Sequence, residues 1–173
     1  MKRLMRTALA LALALTGLMA LPAAAQDTRL RAELGENVDA RTLIESLSRQ
    51  APSDARSGSL AEISVALPVH FDFASARLTA AGQTLLKVVA AALNDPALIG
   101  HAFLVEGHTD SVGNDQANLK LSIQRAEAAR QFLIAQGVDD ARLTTAGYGE
   151  LRLIPGVPGA DARQRRVELV RLP

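Results

Sequence analysis

Apolar residues recur at every second position from Ile63, through Val65, Leu67 and Val69 to Phe71, and Phe73 extends the same face. A period of two predicts a strand with one better-buried side. The period then changes. Leu85, Leu86, Val88, Val89, Ala92 and Leu93 fall at helical spacing, with Thr79 placed as the cap and Asn94, Asp95 and Pro96 as the stop. A second strand runs through residues 102–105 and halts at Gly107. A polar loop covers 108–121, and Ser122 caps a second helix carrying Ala126, Ala129, Phe132 and Leu133, which Gly137 ends in a left-handed turn. Residues 143–148 and 166–172 give two further strands, joined through Pro155, Gly156, Pro158 and Gly159. The order βαβαββ predicts an α+β fold, a small mixed sheet with two helices packed on one face.

The chain before Glu62 has a different texture. Lys2, Arg3 and Arg6 precede an unbroken apolar run over residues 8–21, and Ala23, Ala24 and Ala25 precede Gln26. This is the layout of a secretory signal peptide over residues 1–25; the run is too short to be a comfortable membrane span. Residues 26–61 form a polar, weakly structured lead-in with one short helix. In it Leu43, Ile44 and Leu47 share a face, Asn37 or Asp39 caps, and Pro52, Ser53, Ser57, Gly58 and Ser59 supply a linker. The domain proper then covers 62–173.

Charge and composition narrow the function. Taking the three positive residues of the signal from the 19 basic ones leaves 16 against 18 acidic, a net charge of −2 with neutral histidines. No basic excess argues for nucleic acid, and four Phe and one Tyr offer few rings for stacking bases. The absence of cysteine excludes disulfides, thiolate metal sites, thiol nucleophiles and a lipid-bearing cysteine at the cleavage point. No membrane-spanning segment is expected after cleavage, so the mature protein should reside in the periplasm.

The chemistry concentrates in Gly107-His108-Thr109-Asp110-Ser111-Val112-Gly113 and the following Asn118, Leu121, Ser122, Arg125 and Ala126. Asp110 stands just past the end of a strand, where sheets present ligand-facing loops. With Ser122 as cap, Arg125 occupies the third helical position, where a cation opposes the helix dipole. A residue that breaks a local rule is a candidate for function. Two arrangements fit the spacing. Asp110 and Arg125 could face one cleft and bind a zwitterion, the carboxylate taking an ammonium and the guanidinium a carboxylate. They could equally pair with each other across the loop, and spacing alone favours that pair.

The string GHTDSVG followed by N-x-x-L-S-x-x-R-A resembles the signature of the OmpA-like peptidoglycan-binding domain family. Phe71, Phe73, Ser75 and Ala76 match the upstream F-x-F-x-S-A of that family. Gly137-Val138, Gly147-Tyr148-Gly149-Glu150 and Arg165-Arg166-Val167-Glu168 match its later motifs in order. The resemblance covers roughly residues 62–172 and implies an OmpA-C-like βαβαββ sandwich. It also implies a site in which Asp110 and Arg125 hold the diaminopimelate of peptidoglycan stem peptides, with Thr109, Asn118 and Arg165 as pocket members and Phe73, His108, Leu121 and Ser122 in support. Gln164 stands where the family usually has asparagine, and Pro155 arrives late, which bears on Arg165 and on the rim of the site.

Other chemistries find little footing. His101 and His108 lie seven residues apart on an extended segment and project to opposite faces, so no metal or cofactor is expected. Ser111 and Ser122 have no evident histidine partner, and Asp72 reads as a turn residue, so no catalysis is expected. Two non-enzymatic readings stand: a wall-binding module held in the periplasm by peptidoglycan, in or near the outer membrane, and a protein–protein contact module of an envelope assembly that docks a partner through the helix at 41–50.

Overall fold

Strands Leu30–Glu33 (β1), Ile63–Leu67 (β2), Phe103–His108 (β3), Leu143–Gly149 (β4) and Val167–Arg171 (β5) form one mixed sheet in the order β1-β2-β5-β3-β4. The computed structural model describes residues 30–35, 37–50 and 62–173; the signal segment and the linker read from the sequence lie outside the described residues. β5 runs antiparallel between β2 and β3, while β1 and β4 pair in parallel at the two edges. Helices Ala40–Leu47 (α1), Ala80–Leu93 (α2) and Asp115–Ala135 (α3) cover one face, where Ile63, Val65, Leu67, Phe103, Val105, Val167 and Leu169 meet Leu43, Leu47, Leu86, Val89, Leu93 and Leu133. Each such side chain contributes about 1.5–3 kcal/mol when fully buried.

The α+β class and the βαβαββ order hold, within a larger unit than expected. The lead-in read as weakly structured supplies β1 and α1. Asp39 caps α1 by accepting from the Thr42 N–H at 2.7 Å, and Leu43 and Leu47 are wholly buried. A third helix and a fifth strand therefore join the sheet.

Two boundaries differ from the sequence reading for definite reasons. The first strand stops at Leu67, because Pro68 has no N–H to continue the ladder and Val69 N–H turns back to the Leu67 carbonyl at 2.9 Å. Phe71 instead bridges Leu78 across a tight turn, and Phe73 at its tip is fully exposed rather than part of a strand face. The last helix is capped eight residues before Ser122 and begins at Asp115. Asn114 is the cap, its side chain accepting from Ala117 N–H at 3.1 Å, so Arg125 lies well inside the helix and does not face its positive end. Ser122 works within the helix, donating to the Leu119 carbonyl at 2.7 Å and accepting from Gly149 N–H at 2.8 Å. At the far end the expected stop is present: Gly137 has φ +91° and Val138 N–H returns to Leu133.

The seat of α3 depends on bare backbone. A Cβ on Gly107 would stand 2.1 Å from the Ser122 carbonyl oxygen, and one on Gly147 2.4 Å from the Ile123 nitrogen. Both glycines let the helix backbone rest directly on β3 and β4, which fixes where Arg125 arrives.

Candidate functional site

Arg125 reaches from the middle of α3 to the turn at 71–78. Its Nε donates to the Ser75 carbonyl at 3.0 Å, and its guanidinium carbon stands 5.2 Å from the Phe71 ring centre. Both contacts hold the fork in one plane, and no partner to its terminal nitrogens is found among the described residues. Burial pushes the Arg125 guanidinium below its ordinary pKa, the charge of Arg165 pushes the same way, and Asp110 opposes them. A half-buried cation facing another cation is a site shaped for an anion.

Asp110 sits on the loop after β3. Its carboxylate accepts from Arg165 Nη1 at 2.6 Å and from its own loop, at Val112 N–H, at 3.3 Å. The ion pair across the loop is therefore with Arg165 and not with Arg125. Arg125 and Arg165 both line a cleft of about 260 Å³, together with Pro68, Val69, His70 and Phe71 along one wall and Arg163 and Arg166 along the other. Asp110 stands at its edge through the bond to Arg165.

The loop that presents Asp110 is tied on three sides. Asn118, nearly buried in the first turns of α3, donates through Nδ2 to the Val112 carbonyl at 3.1 Å, the Glu150 carboxylate at 2.9 Å and the Asp110 carbonyl at 3.4 Å. Thr109 N–H donates to the Gly149 carbonyl, and Ser111 N–H to Gly159, both at 2.9 Å. The Thr109 side chain is buried behind the loop rather than turned into the cleft, and its hydroxyl has no partner among the described residues. Gln164, the residue that departs from the family pattern, is wholly buried. It receives Ile154 N–H at 2.8 Å and donates to the Val157 carbonyl at 3.1 Å, so it holds the irregular connection against β5 and sets where Arg165 emerges. Leu121 and Ser122 lie away from the cleft lining, and Phe73 points to solvent.

Beneath the cleft, on the sheet face away from the helices, lies a buried charge cluster. Glu106 and Glu168 sit directly opposite on β3 and β5, both fully buried. Like charges so placed repel. Arg31 donates to Glu168 at 2.8 Å, Ser64 at 2.6 Å and Arg166 at 3.2 Å, while Arg152 reaches Glu106 at 3.3 Å. Burial opposes the charge of Glu168, yet the Ser64 and Arg31 bonds, with Arg31 and Arg166 nearby, hold its carboxyl below the usual range. His108 forms part of the cleft floor. Its Nε2 lies 3.6 Å from Glu106 and 3.7 Å from Glu168, neither ring nitrogen has a hydrogen-bond partner among the described residues, and burial pushes its pKa down. Glu106, His108 and Glu168 offer three donor atoms within 4.8 Å of one another. The three guanidiniums already on the two carboxylates make this a poor place for another cation.

His70, Phe71, Arg163 and the Ser75 carbonyl were not among the expected site residues. Phe71 and Ser75 carried a readable signal in the upstream F-x-F-x-S-A motif, though not their contact with Arg125, which a turn 50 residues away brings about; His70 and Arg163 carried none.

The OmpA family model matches residues 70–166. Outer membrane protein A of Bordetella avium is 33% identical over 122 residues, covering 69% of this chain and 62% of that protein, so the chain spans less than two thirds of it. Peptidoglycan-associated lipoprotein of Pseudomonas aeruginosa is 34% identical over 126 residues, covering 69% of this chain and 72% of that one. The solved structure of the peptidoglycan-associated lipoprotein from Burkholderia pseudomallei superposes with a TM-score of 0.51 at 33% identity, over 60% of this chain and 88% of that one.

Proposed function

The chain belongs to the OmpA family, and from that membership we propose that it binds peptidoglycan non-covalently and without catalysis, through the diaminopimelate of stem peptides. The observation that carries this reading is the cleft in which Arg125, fixed by Ser75 and Phe71, meets Arg165 and its partner Asp110. The free end of diaminopimelate bears an ammonium and a carboxylate on one carbon. Arg125 grips the carboxylate through its two terminal nitrogens, and Asp110 accepts from the ammonium. Asn118 and the Thr109 backbone act at one remove by holding the Asp110 loop, and His108 supports it from below.

Charge-assisted hydrogen bonds net about 1.5–3 kcal/mol each. After the cost of association, single-site affinity falls on the order of 10–1000 μM. Rebinding along a polymer with many stems retains such a protein at the wall, as a contribution to envelope anchoring. The relatives named for outer membrane or peptidoglycan association support an envelope location. No helix among the described residues is long and apolar enough to cross a membrane.

The alternative of a partner-docking helix at 41–50 has less support. The apolar side of α1 is spent on its own core through Leu43 and Leu47, and its outward Arg41 and Glu45 pair with each other at 2.9 Å.

Sedimentation with purified peptidoglycan tests the reading. The chain should pellet with the wall material, and Asp110→Ala and Arg125→Ala should each leave most of it in the supernatant. Equal pelleting of all three proteins would refute the assigned cleft.

A further inference from the structure

Counting the charges around the cleft leaves a remainder that a zwitterionic ligand end does not use. Of its four arginines, Arg163 is held by both carboxylate oxygens of Asp161, at 3.1 and 2.9 Å, and Arg166 by Glu168 at 3.2 Å. Arg125 and Arg165 are left with Asp110 as the shared carboxylate, and the Arg165 guanidinium disfavours the charge of Arg125, where burial already does so. An ammonium and a carboxylate arriving together add no net charge. Two cations and one anion before binding become three cations and two anions after it, so one positive charge remains in excess.

Arg165 has the means to hold a further anion. It gives Nη1 to Asp110, and no partner to its Nε or Nη2 is found among the described residues. Its side chain is about half exposed, at 48%, so its outer edge is open to a ligand lying in the cleft. Its backbone position is fixed by the buried Gln164 next to it.

We propose that the site selects a diaminopimelate with both carboxylates free: one on Arg125, beside the ammonium on Asp110, and the second on the outer edge of Arg165. This rests on the diaminopimelate reading above and sharpens it. The preferred ligand is then a stem ending at diaminopimelate, whose second carboxylate is unblocked, over one whose second carboxylate is amidated. The distinction is one of charge: an amide at that position offers Arg165 only a neutral oxygen, and the surplus cation stays uncompensated in a partly desolvated cleft.

The test is a calorimetric titration of the chain with two synthetic ligands, L-Ala-γ-D-Glu-meso-diaminopimelate and the same tripeptide amidated at its C-terminal carboxyl. The amide should bind the unaltered chain on the order of tenfold more weakly than the acid. Arg165→Gln should weaken the acid and bring the two ligands to nearly equal affinity. Equal affinity of acid and amide for the unaltered chain, with both bound, would overturn the second-carboxylate assignment while leaving the diaminopimelate reading intact. A penalty that persists undiminished in Arg165→Gln would overturn the role of Arg165. Failure of the folded, unaltered chain to bind either ligand would overturn the parent reading and this one with it.

Discussion

Replacing Gly147 by alanine places a Cβ 2.4 Å from the Ile123 nitrogen and 2.7 Å from its Cα. The nearby Ile123 Cγ1, at 2.5 Å, can swing aside, but the helix backbone cannot. Ordinary contact begins near 3.4 Å, so α3 must lift by roughly 1 Å at this point. Overpacking of this kind costs about 1–3 kcal/mol. With a urea slope of about 1.5 kcal/mol/M, the unfolding midpoint should fall by about 0.7–2 M. Arg125 lies two residues along the same helix, and its 3.0 Å bond to the Ser75 carbonyl does not survive a shift of that size. Ligand affinity should therefore fall with stability, by on the order of tenfold. Gly100→Ala serves as the control, since nothing lies within 4 Å of a Cβ there. The assay is urea denaturation followed by circular dichroism, with binding measured on the still-folded fraction. A Gly147→Ala protein with the unaltered midpoint would refute the idea that bare backbone seats α3, and with it the explanation of how Arg125 is placed.

Acidification should destabilise the fold through His108. Its folded pKa is depressed from 6.5 by burial, so as pH falls below 6.5 the unfolded chain binds a proton that the folded chain does not. Stability relative to a His108→Gln variant should be level above pH 7 and decline below about 6.5, as read from urea midpoints across that range. Glu168 acts lower on the scale. Its carboxyl is held below 4.5 in the folded protein, so its contribution is present above 4.5 and lost as pH falls through the folded value. Glu168→Gln at neutral pH leaves Arg31 and Arg166 facing a neutral group, and should cost about 3–5 kcal/mol in the same assay. Asn118→Ala removes the donor shared by Val112, Asp110 and Glu150, and should cost about 1–3 kcal/mol while weakening ligand binding through a looser Asp110 loop.

The sequence patterns that proved readable are those where a local cue and a buried face agree. Thr79 and Asn94 bound α2 as their side chains suggest, and the alternation at Ile63, Val65 and Leu67 does mark a strand, although Ser64 and Ala66 on its other face are buried as well. The start of α3 was misread because its seat is not apolar. Its buried line runs Asn118, Ser122, Ala126, Ala129, Leu133, polar and small where it rests on Gly107 and Gly147, while Leu119 and Ile123 face solvent. A helix packed backbone to backbone leaves no hydrophobic period to find in its first half. β1 was invisible for a related reason: Arg31 enters the sheet because Glu168, 137 residues away, is there to meet it. The candidate site was legible as Asp110, Arg125 and Arg165, but their pairing was not. Spacing favoured Asp110 with Arg125, whereas the turn leading into β5 brings Arg165, 55 residues away in sequence, to Asp110 and leaves Arg125 to the cleft.

The central claim is that Arg125 holds the carboxylate of a diaminopimelate side chain. Its most direct test is a calorimetric titration of the chain with two stem tripeptides that differ only at the third residue, meso-diaminopimelate in one and L-lysine in the other. The lysine peptide keeps the ammonium for Asp110 and lacks the carboxylate for Arg125. Binding of the diaminopimelate peptide alone, lost in Arg125→Ala, is the expected result. Equal binding of both peptides, or diaminopimelate binding unchanged in Arg125→Ala, would contradict it.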